Sequence, residues 1–123
     1  MILITRDGYD LLLSVDPCEI FNHYNVDEMH GLSLKDCRAH PNNRNTSYIS
    51  GWCNYIPNSD RMFVYINLTR CNSEVDLICN LNHELMHWSL ARYGWDINFE
   101  EEIITCAEVE TREVFELTKL LIL

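Results

Sequence analysis

The run His83-Glu84-Leu85-Met86-His87 sets two imidazoles four residues apart with a carboxylate beside the first. On a helix, residues four apart lie one turn above each other on one face, so both rings can hold one zinc ion. Glu84 then lies near any metal-bound water, where it can take a proton as the water attacks and return it to a leaving group. The chemistry these residues could do is metal-assisted hydrolysis. Chance produces this spacing on the order of a few times per thousand chains of ordinary composition, so the motif counts only if a helix carries it.

A helix is legible there. Ser73 is a capping residue with Asp76 three positions on, and Val75, Ile78, Leu81, Leu85 and Trp88 recur at helical spacing. Gly94 closes an element expected over 74–93, with no breaker inside the motif. Asn98, with Glu101 three residues later, reads as the cap of a last helix running towards Leu123. Its expected apolar face is Ile103, Cys106, Ala107, Val114, Leu117 and Leu121. The short connection makes the two helices antiparallel, bringing the start of the last helix level with His87.

A catalytic zinc takes three protein ligands and leaves one position open. No histidine follows His87, so a third ligand from the last helix must be a carboxylate: Glu100, Glu101, Glu102, Glu108 or Glu110. His87 lies about 7 to 8 Å from the end of its helix, and Glu101 and Glu102 sit at the matching height. Glu101 is the natural capping-box member, and Glu102 shares a side with Phe99, Cys106 and Val109; this phase favours Glu102. Glu108 and Glu110 lie deeper along the helix, Glu110 about 18 Å along it, and require a looser hairpin.

The remaining elements form a support. Residues 2–5 and 11–15 are apolar, branched runs about a turn at Asp7-Gly8 and read as a hairpin. Asp16-Pro17-Cys18-Glu19 is a helix start, with the helix reaching about Tyr24. Residues 48–56 and 62–68 read as an antiparallel pair about Pro57-Asn58-Ser59-Asp60, and the second strand is a candidate sheet edge for an added peptide strand. Between 26 and 47 the pattern weakens, and 40–46 is loop by composition. Cys37-Arg38-Ala39-His40 with Cys53 has the spacing of half a structural zinc site, without a second close pair.

With 123 residues and 47% hydrophobic content, residues 1–123 are expected to form one domain around one core. A net charge of -10 argues against nucleic acid, whose phosphates need Lys and Arg, and favours basic proteins or peptides as partners. No run is long enough to span a bilayer, and the N-terminus lacks the basic lead of a signal peptide. The expected location is therefore cytoplasmic, with six free thiols.

His83 to His87, followed by a helix carrying a ligand glutamate, resembles the gluzincin type of zincin metallopeptidases. His83 to Ser89 with Glu101-Glu102-Ile103 is further similar to the zincin-like domains of phage and plasmid antirestriction-type proteins. The likeness covers residues 83 to about 108. It implies a small α+β zincin-like domain, with an antiparallel or mixed sheet packed on the motif helix and a C-terminal helix. By it His83, His87 and Glu102 carry over as zinc ligands and Glu84 as the general base hydrolysing a peptide or protein substrate. Thr105 departs from the Ala or Ser that many gluzincins place after the ligand glutamate. The rival expectation is a non-enzymatic acidic binding or inhibitor protein of the DNA-mimic or antirestriction kind on the same scaffold.

Overall fold

The computed structural model describes residues 1–35, 49–95 and 98–119. Strands β1 (Ile2–Arg6) and β2 (Tyr9–Ser14) form the expected antiparallel hairpin. Gly8 turns between them at φ +89°, a left-handed conformation that costs glycine nothing. Helix α1 (Cys18–Tyr24) starts where the sequence places it: Asp16 accepts from the Cys18 amide at 2.9 Å. A two-residue pair, β3 (Glu28–Met29) and β4 (Leu32–Ser33), follows.

Strands β5 (Gly51–Tyr55) and β6 (Met62–Asn67) are the expected antiparallel pair. They join the first hairpin by a parallel β2–β6 ladder, so the sheet is mixed, in the order β1-β2-β6-β5. This order corrects the expectation for the second strand. β6 is central and buried along its whole length, as a strand apolar on both faces should be, and the edge near the motif helix is β5.

Two layers cover the sheet. On one face Leu12, Phe63 and Tyr65 meet Ile20 and Phe21 of α1, with Met29 and Leu34 closing the cluster and Trp52 packed against it. On the other lies α2 (Glu74–Arg92), whose Trp88 ring sits 4.6 Å from that of Tyr9. The Ser73 hydroxyl accepts from the Asp76 amide, and the Asp76 carboxylate accepts from the Asn72 amide, closing the N-terminus as the sequence predicts. After the turn at Gly94, α3 (Glu100–Lys119) packs against α2. Arg112 of α3 ties the two helices by donating to Asp76 at 2.6 Å. The protein is thus a small α+β domain with a mixed sheet and, among the described residues, three α-helices. None of these helices is long and apolar enough to cross a membrane.

The phase of α3 differs from expectation. Ile103, Val109, Val114 and Leu117 are each more than half exposed, and Cys106 is exposed as well, while Ile104 on the opposite side is buried. Helix α3 begins at Glu100, with Phe99 in a left-handed conformation before it, rather than one residue after a cap at Asn98. Its inward face is drawn from Glu100, Ile104, Ala107, Glu108, Thr111 and Phe115, so the apolar count alone pointed to the wrong side. The thiols also differ: Cys18 is disulfide-bonded, whereas Cys53, Cys71, Cys79 and Cys106 are free. Cys37 and His40 lie outside the described residues.

Candidate metal centre

Helix α2 sets His83 and His87 one turn apart, ring centroids 5.1 Å from each other, both facing α3. Glu101 comes up between them. Its two carboxylate oxygens lie 3.0 Å from His83 Nε2 and 2.7 Å from His87 Nε2. Among the described residues these three form a group whose ligand atoms all lie within 4.8 Å of one another, close enough to hold a metal ion.

Helix phase judged from the apolar positions favours Glu102 as the third member, whereas the structure brings Glu101 to the histidines. Glu102 is one residue, or about 100°, further round the helix and is exposed with Val109 and Cys106, whereas Glu101 meets the histidines. The apolar side of α3, used to choose the phase, is the side that faces out. Glu101 does stand at the height of His87 that helical rise predicts for the third member.

Two further carboxylates back the histidines. Glu100 Oε2 lies 2.7 Å from His87 Nδ1, the ring nitrogen turned away from Glu101. A carboxylate there fixes the tautomer and the ring orientation, leaving Nε2 as the metal-facing atom. Glu108, seven residues and nearly two turns on from Glu101, reaches within 3.7 Å of His83 Nδ1. Glu110, the deepest of the carboxylates weighed as ligands, is exposed and outside the group. Burial lowers the affinity of His87 for a proton, but the Glu100 hydrogen bond and the fields of Glu84 and Glu101 outweigh it, so its pKa ends raised.

Glu84 sits beside the group, 9% exposed. Burial pushes its carboxyl up to about 7; His87 opposes the shift, and Glu101 and Glu108 add to it. The space that Glu84 occupies exists because β5 presents a glycine. A Cβ at Gly51 would stand 2.8 Å from both Glu84 Cγ and Oε1. A cleft lined by Ile49, Ser50, Gly51, Asn80, His83, Glu84, Glu101 and Glu108 opens at this point, beside the edge strand β5.

The remaining candidates stand apart. His30 binds the Tyr55 carbonyl through Nε2 at 2.8 Å, His23 packs edge-on against Tyr24, and Tyr93 is 69% exposed. Cys79, the thiol a closed structural site would need, is buried and outside the metal-capable group. The sequence reading missed the specific parts of Glu100, Glu108 and Gly51. The seven-residue interval between Glu101 and Glu108 was a usable signal, since it returns to the same helix face. Gly51 carried none, because its neighbour Glu84 lies 33 positions away.

The arrangement can bind a divalent cation through two nitrogens and a carboxylate, with a buried carboxylate alongside to accept a proton. In comparisons with known proteins, no family model, curated protein or solved structure matches this chain.

Proposed function

We propose that this protein is a single-domain, zincin-like zinc metallopeptidase, with His83, His87 and Glu101 as ligands and Glu84 as the general base. The observation that carries the reading is the convergence of both Nε2 atoms on Glu101, with Glu84 buried beside them and open to the cleft. Two imidazoles and one carboxylate are a donor set that zinc takes in hydrolytic sites, and they leave a position for substrate or water. When bound, zinc supplies Lewis acidity, polarising a carbonyl oxygen and lowering the pKa of water.

The chain's own residues do the rest. Glu100 holds the His87 ring by its Nδ1, so that Nε2 stays directed at the site. Glu84, whose carboxyl burial keeps ready to hold a proton, removes one from water as its oxygen bonds to the carbonyl carbon. The same carboxyl then passes that proton to the amide nitrogen as the C–N bond breaks. Water is consumed, and an acid and an amine are released.

The test is Glu84→Gln on the zinc-loaded protein. Zinc content by atomic absorption should remain at one per chain, while peptide hydrolysis should fall roughly 100- to 10,000-fold. His83→Ala and Glu101→Ala should lose zinc, and Glu102→Ala should keep it. Undiminished hydrolysis in the Gln variant removes Glu84 from the chemistry and ends the peptidase proposal. Zinc lost with Glu102 but retained without Glu101 reassigns the third ligand.

A further inference from the structure

We propose that the cleft selects peptides carrying a positive charge close to the bond to be cut, and that Glu108 receives that charge. The proposal rests on the peptidase reading above and adds its substrate class. The cleft has a volume of about 320 Å³ and brings Glu84, Glu101 and Glu108 together, with no lysine or arginine among the described residues of its lining. One divalent ion on the His83, His87 and Glu101 group offsets two negative charges, yet four carboxylates gather there once Glu100 is included. Among the described residues this group, Glu100 included, therefore keeps a net negative charge with its metal in place, even when Glu84 holds a proton.

Two observations single out where a cation would go. Glu84 is nine-tenths buried, lines the cleft, and forms no hydrogen bond or ion pair among the described residues. Its role as base leaves it for the proton. Glu108 is partly exposed, and its 3.7 Å approach to His83 Nδ1 is too long for a hydrogen bond, so its oxygens keep their capacity for an incoming donor. Arg112, whose charge reaches Glu108 from one turn further along α3, is held on Asp76 at 2.6 Å. A lysine or arginine side chain, or a peptide's own ammonium group, completes the balance, and an acidic residue in its place meets like charge.

The experiment uses the full chain with zinc and three peptide series identical except for Lys, Gln or Glu beside the scissile position. The Lys peptides should be cut with a kcat/KM roughly tenfold or more above that of the Glu peptides. In Glu108→Gln the Lys-to-Gln ratio should fall close to one with zinc content unchanged; the ratio cancels any general loss of activity. Equal rates for Lys and Glu peptides in the wild type overturn the charge preference and leave the peptidase reading standing. A second zinc equivalent that disappears in Glu108→Gln also overturns it, because the carboxylate is then a metal ligand. If no peptide is cut, the peptidase reading fails separately, and calorimetric binding of the same peptides decides the charge question. Preferential binding of the Lys series that is lost in Glu108→Gln sustains the preference, and equal or absent binding overturns it.

Discussion

The two faces of the sheet bury different chemistry. Towards α1 the interior is aromatic and aliphatic, with Phe63, Tyr65, Leu12 and Phe21 fully buried. Towards α2 and α3 Val64, Ile66, Val75 and Ile104 are buried as well, but at the rim of that layer stand two histidines and four carboxylates, of which only Glu84 is buried, while several apolar residues of α3 face outward. The first face follows from the hydrophobic effect alone. The second is a place where polar groups stay close together because each faces a partner or a cleft, and there apolar periodicity is a poor guide to direction.

The sharpest way to break this contrast is through its apolar half. Phe63→Ala removes a ring with no exposed surface that stacks edge-on against Trp52 at 5.1 Å. It should cost about 3–5 kcal/mol of stability, read from the shift of the urea midpoint at constant m-value. A loss below about 1 kcal/mol would mean that this face is not the main store of stability.

The polar half should respond to pH instead. The Glu84 carboxyl is raised to about 7 in the folded protein from an ordinary 4.5. A raised folded pKa contributes stability that is fully present below the unfolded value and is lost as pH climbs through the folded one. Without metal, the wild type should therefore lose about 3 kcal/mol between pH 4.5 and pH 8 through this group. Glu84→Gln lacks that loss, so the metal-free variant should be the more stable protein at pH 8, with the difference shrinking towards pH 4.5. Parallel pH profiles for the two proteins would show that Glu84 is not desolvated.

These two regions also explain what could be read beforehand. The strand pairs, the α1 cap at Asp16 and the Ser73 start of α2 rest on local rules between neighbours, and each appears in the fold. The motif on α2 and the height of its partner on α3 follow from helical rise and a short turn. The choice between Glu101 and Glu102 did not follow, since a 100° step is decided by where α3 starts, and the left-handed Phe99 sets that start. Likewise, the edge position of β5 depends on the parallel β2–β6 ladder, a pairing between segments about 50 residues apart that no local pattern encodes. Nor does spacing say which thiols a fold brings together, so the disulfide at Cys18 was not legible either.

A smaller change tests how closely the faces are fitted at their shared edge. Gly51→Ala places a methyl 2.8 Å from the Glu84 side chain, a separation that real Cβ atoms do not keep. Glu84 or β5 must move, at a cost of about 1–3 kcal/mol. Peptide hydrolysis should fall further than stability does, because the displaced group is the base of the proposed mechanism. Full activity with unchanged stability would show that the Glu84 side chain has room to relocate without consequence.

The smallest effect is expected on the outward side of α3. Leu117 is 65% exposed and Val114 56% exposed, so replacing either with glutamine removes little surface from contact with protein. Glutamine is also a better helix former than valine, which offsets part of any loss at position 114. Each variant should stay within about 0.5 kcal/mol of the wild type in urea denaturation, with zinc content unchanged. If either cost above about 2 kcal/mol, those residues would have to be buried in solution. The phase of α3 would then be the one the apolar periodicity favours, with Glu102 rather than Glu101 turned towards His83 and His87.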